Sequence, residues 1–266
     1  MEKLKELHKQ NFPDQRKFIH KIALMMGDIR ENLTPPAEDW SHMALEAFDD
    51  GLKTPEINSP LTRITYNIID NDISFYFGLK INTVNLSGLS GNEIFNMLSE
   101  MLQKDNVVMK RLPEYNNEII NRLDRARENF VSQLCFFDKL LKEFHSTISI
   151  GEKSALRLWP HGLDNAFIWK SGKKINGIDE ELGIGVSNGD KYYDLPYAYI
   201  TVSPSLPALK NIFPSRGHYH SEGFEGFILP YADLQKENSY EDQEKVTMDF
   251  FKMGFEKISA ELEKIS

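Results

Sequence analysis

Two histidines that stand two residues apart, His218 and His220, are the most evident chemical feature of the chain, in the segment GHYHSEGFEGFILPY at 217–231. Side chains two apart on a β-strand point to the same face, so both imidazole rings could reach one metal ion. Neutral imidazole nitrogens are common ligands of zinc and other divalent ions. The spacing therefore makes this pair a candidate part of a divalent metal site.

A complete metal site needs further ligands, and four other side chains are candidates for them. Glu222 and Glu225 follow the histidine pair, and His161 and Asp164 precede it in the chain. An ion held there could activate water, with one of the two glutamates as general base. The alternative is a turn at Gly217 with one histidine exposed and the other bonded to the backbone. The sequence leaves both interpretations open.

A second set of residues, His20, Arg30, Trp40 and His42, lies near the start of the chain. Arginine can hold a carboxylate or phosphate with two parallel hydrogen bonds, histidine can exchange a proton near neutral pH, and tryptophan supplies an aromatic wall. Together they predict a pocket for a small anionic or polar molecule between the first helix and the first strands. The alternative is a buried polar network that fixes this helix on the sheet, with Arg30 paired to an acid.

Other catalytic and cofactor motifs do not occur in the sequence. The segment GIGVSNGD at 183–190 lacks the third glycine of the dinucleotide-binding fingerprint and the Gly-Lys-Ser/Thr of the P-loop, so we expect no nucleotide cofactor. Its alternation of apolar residues with Gly183 and Gly185 is typical of a strand that another element crosses closely. Cys135 lies in an apolar helical run, where a small buried side chain is expected rather than a nucleophile.

The composition excludes several classes of protein. The 40 acidic and 31 basic residues give a formal net charge of −9, which does not provide the positive field that nucleic-acid binding requires. One cysteine cannot form an internal disulfide, the first residues lack the apolar core of a signal peptide, and no run of about 18 apolar residues occurs. We therefore expect a soluble cytoplasmic protein that has no membrane partner. Its oligomeric state does not follow from the sequence.

Hydrophobic periodicity predicts helices and hairpins in the first half of the chain. Apolar residues at helical spacing predict a helix over 13–33, and the small residues on its opposite face predict that this face is covered as well. Alternating runs with turn signals at 49–51 and 70–72 predict β-hairpins. A capping box formed by Ser90 and Glu93 predicts the start of a second helix.

The second half of the chain is predicted to be rich in short strands. An apolar stripe from Tyr115 to His145 predicts a long helix that joins the two halves, and another helix begins near Tyr240. Between them the runs ALRLWP, DNAFIW, ELGIGVS, YAYITVS and GFILPY predict strands. Such strands, with helices before and after them, predict an α+β fold with antiparallel sheets. We expect an N-terminal α+β half at 13–147 and a C-terminal β region with a terminal helix at 148–266, in one compact unit.

Three segments carry a resemblance to a known family. HKIALMMGDIRENLTPPAEDWSHMAL at 20–45 resembles, without gaps, the opening block of a group of bacterial proteins catalogued as domain of unknown function 5996. LWPHGLDNA at 158–166 and HSEGFEGFILPY at 220–231 resemble two later blocks, and the resemblance as a whole extends roughly from Phe12 to Tyr231. His161 and His218 fit the family pattern less well. The resemblance implies that six of the candidate site residues belong to that pattern: His20, Arg30, Trp40, His42, Asp164 and His220.

The resemblance brings no activity with it, and three functional interpretations stay open. The first is a cytoplasmic protein, with or without catalytic activity, that binds a small anionic or polar molecule in the His/Arg/Trp pocket. The second is a metal-dependent hydrolase or lyase that uses the histidine pair. The third is a non-catalytic protein that binds a partner through the amphipathic helix predicted at 115–130.

Overall fold

The computed structural model describes residues 3–7, 11–106, 124–205, 209–210 and 216–265. Within these residues the α-helices are α1 (Phe12–Leu33), α2 (Gly91–Gln103), α3 (Asp124–Thr147), α4 (Tyr231–Leu234) and α5 (Tyr240–Ile265). The strands are β1 (Glu46–Phe48), β2 (Gly51–Lys53), β3 (Arg63–Asn67), β4 (Asp72–Phe77), β5 (Lys80–Asn85), β6 (Glu152–Lys153), β7 (Arg157–Trp159), β8 (Asp164–Ile175), β9 (Ile178–Ser187), β10 (Tyr197–Ser203), β11 (His218–His220) and β12 (Gly226–Pro230). Helices around antiparallel strands make an α+β fold, as the sequence predicts.

The chain divides into two compact units. The five-stranded unit comprises Leu7–Cys135 and Arg157–Leu163, and the six-stranded unit comprises Met1–Glu6, Phe136–Leu156 and Asp164–Ser266. Residues of α3 therefore belong to both units, in agreement with a long helix that joins two halves of the chain. The predicted start of this helix, near Tyr115, lies outside the described residues.

The sheet of the five-stranded unit has the order β1-β2-β3-β4-β5, and every neighbouring pair is antiparallel. Both predicted hairpins are confirmed, because β1 pairs with β2 across residues 49–50 and β3 pairs with β4 across residues 68–71. Asn71 has a positive φ of 60° in the second turn, a conformation that asparagine tolerates better than most residues. The strands thus follow one another in space as they do in sequence, which is the pattern that local turn signals predict best.

Helix α1 is buried on both faces within the five-stranded unit. Ile22, Met25 and Ile29, on its apolar stripe, are fully buried, and so is Ala23 on the opposite face. Gly27 lies on that second face, where a β-carbon would come within 2.8 Å of the Pro160 ring. The small residues of α1 therefore allow close approach of a second element, as predicted.

The second sheet has seven strands, and the six of them in the six-stranded unit have the order β11-β12-β10-β9-β8-β6. Its inner face is apolar and packs against helical residues: the Phe167 ring lies 6.3 Å from that of Phe144 on α3, and Trp169 lies 5.0 Å from Phe255 on α5. The strand register places a different set of side chains on the opposite face. We call this the tyrosine face, and it carries Asp164, Ser187, Tyr197, Tyr199, His218 and His220.

Two further helices begin where the sequence predicts. The Ser90 hydroxyl accepts from the Glu93 backbone N–H, and the Glu93 carboxylate accepts from the Ser90 backbone N–H, which completes the capping box of α2. Helix α5 begins at Tyr240. None of the described helices has a stretch with the length and hydropathy needed to cross a lipid bilayer.

Candidate functional site

The tyrosine face carries a row of acidic, tyrosine and histidine side chains that differ in their exposure to solvent. Asp164 is the first residue of β8, and it lies opposite Ser187 of β9, which in turn lies opposite Tyr197 of β10. Tyr199 follows Tyr197 on the same face of β10, because side chains alternate along a strand. His218 of β11 continues the row of Tyr199 through Ile228 of β12. The register of four strands therefore assembles side chains from distant parts of the sequence.

Asp164 and Tyr199 form one end of this array, on strands β8 and β10. The Tyr199 hydroxyl donates a hydrogen bond to Oδ2 of Asp164 over 2.6 Å. Both side chains are half-buried. Burial raises the pKa of the Asp164 carboxyl, and the hydrogen bond from Tyr199 offsets part of that rise. Burial also raises the pKa of Tyr199 well above its ordinary value, with a further contribution from the neighbouring charge of Asp164. A carboxyl group with a raised pKa keeps its proton to a higher pH than an ordinary aspartate does.

Gly185 makes the contact between Asp164 and Tyr199 possible. A β-carbon at this position of β9 would lie 2.8 Å from the Tyr199 hydroxyl, 2.6 Å from the β-carbon of Ala166 and 2.7 Å from the Asn165 carbonyl oxygen. Since glycine has no side chain, Tyr199 can lie across β9 and reach Asp164 on β8. The glycines of this segment predict close approach by another element, and the approaching group is a tyrosine side chain.

A second acid, Asp190, organises the loop that follows β9. One of its carboxylate oxygens accepts from the backbone N–H groups of Tyr192 and Tyr193, at 2.7 Å and 2.9 Å. Its other oxygen accepts from the Tyr197 hydroxyl at 2.7 Å. Burial and this hydrogen bond raise the pKa of Tyr197. The loop is therefore fixed to β10, and it places the ring of Tyr193 4.9 Å from that of Tyr197.

Both histidines of the pair lie within hydrogen-bonding distance of the Tyr193 hydroxyl. Its oxygen lies 2.9 Å from Nδ1 of His220 and 3.3 Å from Nε2 of His218, so both rings are on one face of β11, as predicted. Nε2 of His220 lies 2.7 Å from the backbone oxygen of Glu222, and because a carbonyl oxygen only accepts, this nitrogen carries a proton. Nδ1 of the neutral ring then accepts from the Tyr193 hydroxyl, which is left to accept from His218.

This arrangement bears on the predicted metal site. Both ring nitrogens of His220 are engaged in hydrogen bonds, and His220 is buried whereas His218 is exposed. The carboxylate of Glu225 faces Ser205 and Lys210. Among the side chains that the structure describes, no three His, Cys, Asp or Glu residues are grouped so that they could hold a metal ion.

The other members of the predicted metal set are dispersed. Glu222 is exposed and takes part in the array through its backbone oxygen. Asp164 belongs to the six-stranded unit and bonds to Tyr199, whereas His161 belongs to the five-stranded unit. The exposed His218 and the backbone-bonded His220 therefore match the alternative that the sequence leaves open, in which one histidine is exposed and the other is bonded to the backbone. Metal binding stays a prediction.

The second predicted set lies around α1 in the five-stranded unit. Nε2 of His20 donates to the backbone oxygen of His161 over 2.9 Å, and burial lowers the pKa of His20. One nitrogen of the Arg30 guanidinium donates to the backbone oxygens of Ser41 and Ala44, the latter at 3.0 Å. His20 and Arg30 thus hold two different segments against α1 through main-chain oxygens.

His42 and Trp40 belong to the turn that Arg30 holds. Nδ1 of the buried His42 accepts from the backbone N–H of Ala37 at 3.1 Å. The Trp40 ring stacks on His42 at 5.7 Å and is 61% exposed, on a residue with a positive φ of 58°. Arg30 forms no ion pair with an acid among the described residues, so the expected acidic partner is replaced by carbonyl groups.

The cavity beside these residues is small. It measures about 40 Å³ and is lined by residues of α1, by Met43 and by the turn at Pro160 and His161. Its volume is suited to a water molecule or two rather than to a metabolite, because small-molecule sites usually measure roughly 300–1,000 Å³. The described geometry of this set resembles a polar network that fixes the helix more than an open pocket.

The residues that sequence reasoning missed are Tyr193, Tyr197, Tyr199 and Asp190. One signal for them was present, because the alternation in YAYITVS places Tyr197 and Tyr199 on one face of a strand. The contact between Tyr199 and Asp164 spans 35 residues and depends on the order of three strands.

Comparison with known proteins identifies the family of the chain. A family model described as "Family of unknown function (DUF5996)" matches residues 4–264, which is nearly the whole chain. Searches among curated proteins and among solved structures give no significant match. The family match confirms the resemblance seen in the three sequence segments. The chain therefore belongs to the DUF5996 family.

Proposed function

We propose that the protein binds a small polar molecule at the Asp164–Tyr199 end of the tyrosine face. The observation that carries this proposal is a half-buried carboxyl group that has a raised pKa and accepts a hydrogen bond from one tyrosine hydroxyl. Partly desolvated titratable groups of this kind are more frequent at functional sites than elsewhere. Glycine at position 185 adds support, because it keeps the strand beneath the pair free of a side chain.

The ligand class follows from the charges around the site. Asp164 and Asp190 are both acids, and the tyrosine rings present faces with negative electrostatic potential. We therefore propose a neutral or cationic molecule that is rich in O–H or N–H donors, such as a polyol, a sugar or an amine. Anions would be repelled, so this site differs from the anion pocket that the sequence predicts around Arg30.

Binding is the proposed activity, and no reaction is assigned to it. Two further parts of the proposal rest on the sequence. A cytoplasmic location is supported by the single cysteine, which cannot form an internal disulfide. A bacterial origin is supported by the resemblance to DUF5996 proteins. Binding at His20, Arg30, Trp40 and His42, with Arg30 already engaged by carbonyl groups, stays a weaker alternative.

A thermal-shift screen with charge-matched compounds tests the proposal. Polyols, sugars and amines would be compared with carboxylates and phosphates of similar size. We expect stabilisation by members of the first group and its loss in Asp164→Asn and Tyr199→Phe. Asp179→Asn is the matched control, because Asp179 is an exposed acid of the same sheet. Stabilisation by anions alone, or equal stabilisation of all variants, would contradict the proposal.

A further inference from the structure

A cleft of about 360 Å³ lies at one edge of the six-stranded unit, away from the residues of the tyrosine face. Its lining comes from the end of α3, from the segment 148–150 that follows, and from α5. The volume lies within the range of small-molecule sites, which is roughly 300–1,000 Å³. The volume of the cleft is about nine times that of the cavity beside α1, which measures about 40 Å³.

The walls of the cleft are apolar and held in place. Phe144 and Phe255 are buried, with ring centroids 6.0 Å apart, and Ile148 and Ile150 complete the apolar surface. The backbone oxygen of Ile150 accepts from the indole N–H of Trp169 at 2.7 Å. Because this bond fixes the segment at one end of the cleft, the site exists before a ligand arrives.

Lys153 fixes the same segment from a second direction. Its ammonium group donates to the backbone oxygens of His145, at 2.6 Å, and Ile148, at 2.8 Å. These carbonyl groups lie at the C-terminal end of α3, where a positive charge is favourable. A preformed apolar wall reduces the entropy that binding must overcome.

Two opposite charges stand at the rim of the cleft, and they are not bonded to each other. Lys252 and Glu256 are four residues apart on α5 and are both exposed. Within the described part of the chain, neither side chain forms an ion pair. Lysine before glutamate is the less favourable order for such a pair on a helix. One cationic and one anionic group are therefore free to engage a ligand above an apolar wall.

We propose that this cleft binds a free α-amino acid with an apolar side chain. The carboxylate would pair with Lys252, the ammonium with Glu256, and the side chain would pack on the apolar wall that Ile148, Ile150 and Phe255 contribute to. A fatty carboxylate would leave Glu256 facing a like charge, and an apolar amine would leave Lys252 in the same position. A zwitterion with an apolar body satisfies both charges and the wall.

The test is a titration of the full chain, labelled with ¹⁵N, with L-phenylalanine and with two analogues that each lack one charge. These are 3-phenylpropionate, which has no ammonium group, and phenethylamine, which has no carboxylate. We expect saturable shifts of the backbone amides of Ser149 and Ile150 with L-phenylalanine. Each analogue should bind about two- to fivefold more weakly, since each loses one ion pair with an exposed side chain.

Variants of the exposed rim residues separate the two charges without touching the core. Lys252→Gln should weaken the binding of L-phenylalanine about two- to fivefold and leave that of phenethylamine unchanged. Glu256→Gln should weaken L-phenylalanine to a similar extent and leave 3-phenylpropionate unchanged. Lys245→Gln and Glu263→Gln, at exposed positions of the same helix, are the matched controls and should change nothing.

Three results would overturn the proposal. The first is that neither L-phenylalanine nor L-leucine gives saturable shifts. The second is that binding is unaffected by both rim variants, which would place the ligand elsewhere. The third is that only one of the two variants weakens binding, because the ligand would then carry a single recognised charge rather than two.

Discussion

The carboxyl group of Asp164 links the stability of the folded chain to pH. Burial raises its pKa in the folded chain above the ordinary value of 3.8. At a pH between the unfolded-state pKa and the folded-state pKa, the folded chain therefore holds a proton that the unfolded chain releases. Its contribution to the free energy of unfolding is therefore greatest at low pH and falls as the pH rises through the folded-state pKa. This direction is the opposite of that for a salt-bridged acid.

Asp164→Asn should remove this pH dependence and keep the hydrogen bond, because the Tyr199 hydroxyl can donate to an amide oxygen. The free energy of unfolding of the variant, relative to the natural chain, is expected to increase as the pH is raised from about 4 to about 7. Urea unfolding over a pH series measures it. Asp179→Asn should give the opposite trend, since hydrogen bonding and charge from Lys174 lower the pKa of Asp179. A difference that does not change with pH would show that Asp164 is not desolvated.

In the five-stranded unit, His20 makes the stability of the folded chain depend on pH in the opposite direction. Burial lowers its pKa below the ordinary value of 6.5, so the unfolded chain binds the proton more tightly. Stability from this group is present above about pH 6.5 and is lost as the pH falls below it. His20→Gln, which keeps an N–H donor for the backbone oxygen of His161, should flatten that part of the stability profile. His218→Gln serves as control, because its ring is exposed and it belongs to the six-stranded unit.

At the scale of elements, strand β9 depends on two glycines that differ in what surrounds them. A β-carbon at Gly185 would meet the Asn165 carbonyl oxygen and the Ala166 β-carbon, neither of which can move without the strand. A β-carbon at Gly183 would meet the Thr201 hydroxyl at 2.5 Å, and that hydroxyl can rotate away. Replacement by alanine is therefore expected to lower stability by different amounts at these two positions, although they lie only two residues apart on β9.

Gly185→Ala should lower the free energy of unfolding by about 1–3 kcal/mol, because overpacking forces a backbone shift. Gly183→Ala should lower it by less, and Gly183→Ala combined with Thr201→Ala should recover the loss that is due to the clash. Thermal unfolding of the three variants provides the comparison. If Gly183→Ala proved the more damaging single change, the packing of Tyr199 across β9 would be wrong.

Local patterns predicted the elements well and their pairing poorly. The capping box at Ser90 and the turn at Asn71 depend on residues within a few positions, so they were visible in the sequence. Strands β6 and β11 have two and three residues, which is too few for a periodic signal. The order β11-β12-β10-β9-β8 is set by long-range pairing, and for that reason the contact of Asp164 with Tyr199 was not predictable.

The partners of the candidate site residues were not predictable where one residue type allows several roles. Histidines two apart on a strand do lie on one face, but Tyr193 from a preceding loop meets both of them. Arginine was expected to bind an acid or a ligand, yet Arg30 satisfies main-chain oxygens instead. Identifying such partners requires knowledge of loop positions, which composition and spacing do not contain.

At the scale of the whole molecule, the six-stranded unit includes the first residues of the chain. The backbone N–H of Leu4 donates to the buried side chain of Gln243 at 2.9 Å, and the Tyr231 hydroxyl donates to the backbone oxygen of Lys5 at 2.8 Å. Leu4 is itself only 3% exposed. This segment therefore stabilises helices that lie more than 200 residues away in sequence.

Leu4→Ala should lower the free energy of unfolding by about 2–4 kcal/mol, because it removes a buried leucine side chain. Leu79→Ala is the matched control: Leu79 is 103% exposed, and its replacement should change stability by less than about 0.5 kcal/mol. Chemical denaturation of both variants measures the difference. Equal stability of the two variants would mean that the N-terminal segment does not dock on the six-stranded unit.

The indole of Trp169 is a fluorescent group in the interior of the six-stranded unit. Trp40 is largely exposed, whereas Trp169 is 3% exposed, packs edge-on against Phe255 and donates to the oxygen of Ile150. Its fluorescence should therefore emit at shorter wavelength than that of Trp40 and respond to changes in its immediate surroundings. In a double variant with Trp40 and Trp159 replaced by phenylalanine, the emission of Trp169 would report, without any added dye, on Phe255 and Ile150, the two residues that border the cleft.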